Sequence, residues 1–455
     1  MNSHLSMSSR WLGFFSLILA LAITHLDKTI VPVALPAIQN DFQTTDLALQ
    51  WCVNAYLLST TVFILVAGKI SDRIGHKKAL LLGNIAFTLS SIFCALSPNI
   101  GCFIAARVSK GIGAALILTA QPALLGSIFP SDKTGRTVGF NTSISSFFMI
   151  LGPLIGGYLV DFFSWRSIFW LNLPLSLLSL FLGMMFIPHS RTTEGKIDRA
   201  GFLYFTLFST SLIFLLMQGN AWGWNSWKIG ICALCFLCSL VFLLRRESQS
   251  DHPFLDLALF KNPLFVAINL LIGLSQFMLM INVYRTIYFQ TVLNYTPSEA
   301  GYLLFLSCIP VLFFSQIAGL LSDKMNPAIP VILGFLLLFY SFFSLACLPH
   351  LIAPLIAFGI GLPLMLTPAY SAVFPTIPPN KLGVAFGMIG TLRTFSAALG
   401  VALIAWFTNT LESHHVSKPL SFSALHFAFA LLVIVEFLLI FFLYRRRARD
   451  PLYTP

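Results

Sequence analysis

Charge is what this chain has least of. Only 9% of its 455 residues are Asp, Glu, Lys or Arg. An ordinary soluble domain carries about 25%, so no fold of this chain could cover itself with a water-compatible surface. Acids are the scarcer sign, 16 against 27 bases. There is no Gly-x-x-x-x-Gly-Lys-Ser/Thr run, which removes the phosphate-cradling loop of an ATP hydrolase. There is no His-Glu-x-x-His pair, and the nine histidines are dispersed, mostly toward loops. No Ser or Cys stands in a nucleophile motif beside a base. Cys232, Cys235 and Cys238 have a spacing that suggests iron–sulfur ligation. They lie inside one apolar run, ICALCFLCSL, where small side chains simply pack. Neither a metal nor a cofactor is expected.

What is there instead is hydrocarbon: 57% of residues are hydrophobic. Apolar runs of roughly 18 residues or more recur, each long enough to cross a bilayer as a helix. The runs predict fourteen spans, at about 11–33, 48–69, 79–97, 101–128, 138–160, 167–187, 201–219, 227–244, 263–290, 298–320, 328–348, 351–373, 383–408 and 422–444. The fold class is therefore an all-α polytopic membrane protein. Arg10 and the Ala20-Leu21-Ala22 tripeptide have the look of a secretory signal. The apolar run continues past them to Asp27, so an uncleaved first span is expected.

Placing both termini in the cytoplasm puts nineteen of the Lys and Arg residues on the inner side and only Arg166, Lys228 and Lys418 on the outer. This is the positive-inside bias of a plasma or bacterial inner-membrane protein. It accounts for the net charge of +11 without nucleic acid. The loop connecting the second and third runs reads GKISDRIGHKKAL from Gly68 to Leu80, and Gly68-Lys69-Ile70-Ser71-Asp72-Arg73 is echoed by Gly319-Leu320-Leu321-Ser322-Asp323-Lys324. Each copy follows the second span of a six-span set. Internal repeats of this kind build many secondary transporters. The expected organisation is a six-helix bundle at 1–190, a two-helix insert with its linkers at 191–262 and a second six-helix bundle at 263–455.

Four motifs place chemistry in this frame. In the loop, Gly68 would let two helices approach closely, Gly75 would allow a tight turn, and Asp72, followed by Arg73, stands at a helix end where it can pair with a base. The first span ends LDKTIVPVALP, with Asp27 inside the apolar run. An isolated carboxylate in low dielectric favours its neutral form, so such a residue can take up and release a proton. Intramembrane acids are functional by default. The fourth span carries RVSKGIGAA. Its Arg107 stays charged wherever it sits and needs a polar cavity or a partner. The fifth carries LGPLIGGYL, in which Gly152 and Pro153 bend the helix and Gly156 and Gly157 permit close packing.

In this order the motifs resemble those of the fourteen-span drug–proton antiporters of the major facilitator superfamily, over nearly the whole chain. Departures from the family pattern are Pro32 and Lys110, where Asn and Gln are usual, and Phe148, where Gly is. The resemblance implies two six-helix bundles that rock about a central cavity. It makes Asp27 and Arg107 the proton-coupling pair and the set Gly68, Asp72, Arg73, Gly75 and Asp323 a conformational latch. Gly152, Pro153, Gly156 and Gly157 become the antiporter motif tied to export. It places Lys28, Lys110, Arg285, Gln290 and Arg393 as cavity candidates. Five bases, Lys28, Arg107, Lys110, Arg285 and Arg393, against one acid favour an anionic or zwitterionic ligand. The expected function is proton-coupled export of small amphipathic organic compounds, drugs or secreted natural products, with a siderophore or other organic anion as the narrower alternative. Partners are the substrate, the proton and the lipid bilayer. A gram-negative host could add a periplasmic adaptor and an outer-membrane channel, though nothing in the chain shows either. The rival readings are a metabolite importer and a membrane-embedded lipid-modifying enzyme. The second would need a charged catalytic cluster at one interface, and the sequence has none.

Overall fold

The structure, a computed structural model, describes residues 7–128, 134–188, 192, 198–249, 259–260, 262–324, 328–348, 350–373 and 382–447, with side chains throughout except at 7, 65, 134–145, 323–324, 369–373, 382–387 and 441–447. Among the described residues every regular element longer than one turn is an α-helix, as a lipid solvent demands, because a helix satisfies its own backbone. Among the described residues twelve helical stretches, Pro263–Thr291 counted as one, are long and apolar enough to cross a membrane, and two shorter apolar helices lie at Ser146–Phe162 and Ile352–Pro368. The chain divides into two compact units, one of residues 1–202 with 294–302, the other of 203–293 with 303–455.

Unit 1 contains α1 (Met7–Phe42), α2 (Asp46–Ile74), α3 (His76–Ala95), α4 (Ile100–Ile128), α5 (Thr134–Phe162) and α6 (Ser167–Phe186). Helix α4 packs on α2 and α3, and α1 on α5 and α6. Pro32 and Pro36 lie inside α1, which nevertheless runs unbroken. Polar atoms stitch the bundle where apolar attraction between helices is weak. Asn84 Nδ2 donates to Ser179 Oγ (2.9 Å), Ser179 Oγ to the Ser16 carbonyl (2.9 Å), and Ser16 Oγ to the Ser179 carbonyl (2.7 Å). Gly83 and Gly113 make the α3–α4 contact reciprocal: a Cβ on either would stand 2.8 Å from the other's carbonyl oxygen.

Unit 2 takes α7 (Arg199–Trp222) from Leu203 onward and α8 (Trp227–Gln249). It continues with α9 (Pro263–Leu279), α10 (Ile281–Thr291), α11 (Pro297–Lys324) from Leu303 onward, α12 (Ala328–Cys347), α13 (Ile352–Val373), α14 (Leu382–Ser413) and α15 (Lys418–Arg447). Phe265, Ile272, Phe342, Phe358, Met365 and Phe429 belong to its core. The α12–α13 contact repeats the device of unit 1: a Cβ at Gly334 would lie 2.7 Å from the Gly361 oxygen, and one at Gly361 2.9 Å from the Gly334 oxygen. The α7–α8 pair belongs to this unit. Asn220 of α7 donates to Thr410 Oγ1 at 2.9 Å, Phe208 stacks on Phe236 and packs on Phe395, and Leu234, Leu237 and Val241 of α8 are exposed, as a lipid-facing helix requires.

The span expected at 263–290 is one membrane-length stretch, Pro263–Thr291, made of two helices joined at Met280, whose amide donates to the Phe277 carbonyl at 3.1 Å. That tighter turn resets the helix, and neither proline nor glycine marks it in the sequence.

Candidate functional site

Asp27 lies fully buried in unit 1, and it is not isolated. Its Oδ2 is 2.5 Å from Arg107 Nη1 and its Oδ1 2.5 Å from Lys110 Nζ. The three side chains are 0–1% exposed. Helix α4 delivers both bases because residues three apart share a helical face. Each is then fixed a second time. Arg107 Nε donates to the Cys52 carbonyl at 2.8 Å, and its guanidinium carbon lies 4.6 Å from the centre of the Tyr56 ring. Lys110 Nζ sits 4.6 Å from the Phe87 ring centre and 4.8 Å from that of Phe169. The site thus draws on α1, α2, α3, α4 and α6. It sets one acid against two bases in a fully buried interior.

The expected proton-coupling pair, Asp27 and Arg107, is therefore brought together, but the solitary acid suggested by the sequence is replaced by a doubly compensated one. Lys110, expected as a cavity base, is the second partner. Its apolar neighbours in sequence hide the match, which spans 83 residues. Lys28, next to Asp27 in sequence, is half-buried, and the cations that pair with Asp27 come from α4 instead. Gly111 explains how α4 comes close enough. A Cβ there would collide with Ser59 Oγ and stand 2.5 Å from the Tyr56 carbonyl oxygen, and the Gly111 carbonyl accepts from Thr60 Oγ1 at 3.2 Å.

The fifth-span glycines pack against the same stretch of α1. Thr29 Oγ1 donates to the Met149 carbonyl at 2.8 Å. A Cβ at Gly152 would collide with the Thr29 hydroxyl, and one at Gly156 would lie 2.6 Å from Ile30 Cγ1. Gly157 serves another contact within unit 1, since a Cβ there would stand 2.5 Å from the Pro297 carbonyl oxygen. Two residues C-terminal to Asp27, α5 backbone and α1 thus touch with nothing larger than hydrogen between them. Pro153 lies inside α5.

In the α2–α3 loop, Gly75 has φ 90° and ψ 136°, a conformation that requires glycine, and it links the two helices directly. Asp72 pairs with His76 (Oδ1 to Nε2, 3.8 Å), and Ser71 Oγ is 2.8 Å from His76 Nδ1. His76 carries no mark in the sequence that sets it apart from the bases around it. Lys77, which reads as a topogenic charge, also holds structure together. Its Nζ donates to the Met184 carbonyl at 2.8 Å, capping the last turn of α6. Arg73 is exposed. Among the described residues, nothing lies within 4 Å of a Cβ placed at Gly68. The Asp323 side chain falls outside the described residues.

In unit 2, Arg285 on α10 is fully buried, while Gln290 and Arg393 are half-buried. Arg285 Nε donates to His426 Nε2 of α15 at 3.1 Å and its Nη1 to Asn282 Oδ1 at 3.1 Å. His426 is a site residue that the motifs did not indicate. Its signal is a histidine inside the apolar run SFSALHFAFALL, since ionisable groups there are rarely decorative.

Membrane-length helices packed around a buried, charged triad define a protein embedded in the bilayer. Similarity to known proteins agrees. The fold is shared with the xylose transporter XylE from E. coli in a partially occluded inward-open conformation, at a TM-score of 0.64 and 15% identity over 96% of this chain and 99% of that one. The chain belongs to the Major Facilitator Superfamily, whose sequence profile matches residues 17–401 and 288–454. It is 31% identical to the multidrug resistance protein Stp of Mycobacterium tuberculosis over 87% of this chain and 76% of that protein. It is 30% identical to the riboflavin transporter RibZ of Clostridioides difficile over 88% and 89%. To the tetracenomycin C resistance and export protein of Streptomyces glaucescens it is 28% identical over 87% and 75%.

Proposed function

We propose that the protein is a proton-coupled exporter of small amphipathic organic compounds, a fourteen-span drug–proton antiporter working by alternating access. In this reading two six-helix bundles are joined by the insert at 191–262, and both termini are cytoplasmic. The observation that carries it is the double ion pair of Asp27 with Arg107 and Lys110. While Asp27 is ionised, each cation has a partner. A proton on the carboxylate removes the counter-charge and leaves two buried cations side by side, an arrangement that is strongly disfavoured. Proton occupancy therefore biases unit 1 between two packings, and a ligand with differential affinity for the two is coupled to it. Asp27 is the proton site, Arg107 its principal partner, Lys110 the second. Gly152 and Gly156 tie α5 to the segment of α1 that must respond. The loop of Gly68, Asp72, Arg73 and Gly75, with Asp323, would act as the latch.

Export is favoured by the fifth-span motif and by relatives named for drug resistance and export. A relative named as a riboflavin transporter supports a second reading, transport of a metabolite. Flux in inverted vesicles separates the two directions and tests the coupling together. An imposed proton gradient should drive substrate accumulation in wild-type vesicles, and Asp27→Asn should abolish it while the protein stays in the membrane. Undiminished proton-driven uptake by Asp27→Asn would remove Asp27 from the mechanism.

A further inference from the structure

Arg285 is another permanently charged group wholly enclosed by protein, and its surroundings differ from those of Arg107. Among the described residues no carboxylate pairs with it. Its acceptors are neutral. His426 Nδ1 faces the Phe422 carbonyl at 2.8 Å, and a carbonyl only accepts, so Nδ1 carries the hydrogen. Nε2 then has the lone pair that receives Arg285 Nε–H. Asn282 offers an amide oxygen to Nη1. Nη2 is buried and has no acceptor among the described residues. Two rings and a thiol are also close: the guanidinium carbon lies 5.0 Å from the centre of Phe358 and 5.5 Å from that of Phe342, Cys308 of α11 stands nearby, and Phe422 packs tilted on His426 (4.0 Å) and stacks on Tyr288 (3.9 Å). A buried charge without a counter-charge is costly, and rings and amides compensate it only in part.

We propose that Arg285, held by His426, is a seat for the carboxylate of an aromatic organic acid, with the Asn282 amide as its displaceable placeholder. The geometry is that of a fork with one tine provisionally occupied. His426 holds the Nε edge and fixes the plane of the guanidinium. The outer edge, Nη1 and Nη2, is the edge that binds a carboxylate through two parallel hydrogen bonds. There the Asn282 amide stands in for one carboxylate oxygen, and Nη2 is left to donate to the other. Asn282 is half-buried, as are Tyr284 and Tyr288 on the same helix, so the amide is the group an incoming acid displaces. The flanking rings suit an aromatic body better than an inorganic anion. That this acid is the cargo rests on the export reading; the seat itself does not.

The test uses the full chain purified in detergent, with 1-naphthoate as the probe and 1-naphthamide and chloride as controls. Naphthoate at millimolar concentration should raise the unfolding temperature of the wild type, and naphthamide and chloride should not. Arg285→Lys, which keeps the charge and loses the fork, should weaken the apparent affinity for naphthoate about tenfold or more. Asn282→Ala, which frees Nη1, should bind at least as tightly as wild type. No stabilisation by naphthoate, equal stabilisation by the amide or by chloride, or unchanged affinity in Arg285→Lys overturns the proposal. If Arg285→Lys does not fold, the acid–amide comparison on the wild type and on Asn282→Ala decides the matter. Failure here leaves proton-driven flux in vesicles untouched. Absence of that flux with naphthoate binding intact would leave the seat standing and remove its assignment as a cargo site.

Discussion

Lys110 offers the sharpest check on the Asp27 site, because the structure gives it a surplus charge. With Asp27 ionised, the triad is one positive charge over neutrality, so losing the acid and losing a base are not equivalent. Asp27→Asn leaves Arg107 and Lys110 facing an amide in a site that is 0–1% exposed. Removing one member of a buried pair in this way costs about 3–5 kcal/mol. At about 2 °C per kcal/mol for a unit of this size, the unfolding temperature should fall by at least about 6 °C. Lys110→Met removes the surplus cation, keeps the Asp27–Arg107 pair, and leaves a thioether between the rings of Phe87 and Phe169, where sulfur packs well. It should be neutral or stabilising. In the double variant only Arg107 remains charged, so at least about 2 kcal/mol of the Asp27→Asn loss should return, a coupling typical of residues in one network. Thermal unfolding followed with a thiol-reactive dye reads this, since Cys52 and Cys94 are buried beside the site. Equal destabilisation of Asp27→Asn and the double variant would refute the reasoning, because the charges would then not be felt between α1 and α4.

Two further outcomes are expected beyond the vesicle flux and naphthoate experiments. Gly111→Ala forces a methyl against the Tyr56 carbonyl, 2.5 Å from where its Cβ must stand. The overpacking should lower stability by about 1–3 kcal/mol and displace the ring beneath Arg107; an unchanged melting temperature would show that α2 and α4 are not held at that distance. Epitope tags fused to the two termini should both be cleaved by protease in inverted vesicles and both be protected in intact cells. Cleavage of only one would break the even span count.

Much of the site is legible from sequence because intramembrane charge is rare. Asp27, Arg107 and Arg285 announce themselves as ionisable groups in apolar runs, and Gly75 as the one residue between two helices that can adopt φ 90°. What cannot be read is who meets whom. Asp27 looks solitary in its run, yet its second partner lies 83 residues away. Lys77 passes for a topogenic charge, yet it caps α6 from 107 residues away. His426 hides among dispersed histidines, and its partner is 141 residues distant. In a soluble helix an apolar stripe shows which face turns inward. These spans are apolar all round, so their periodicity does not say which side chain faces a neighbour and which faces lipid.

The break at Met280 has the same origin. No local residue demands it, and it is tertiary packing that turns α10 so that Arg285, held by Asn282 of its own helix, meets His426. Sequence alone settled the solvent and the secondary structure: a chain with 9% charge and 57% hydrophobic residues dissolves in lipid, and lipid admits helices whose backbones satisfy themselves. Which charges neutralise one another, and which is left without a counter-charge, was decided only when the helices packed, because those pairings depend on rotations that an all-apolar surface leaves unmarked.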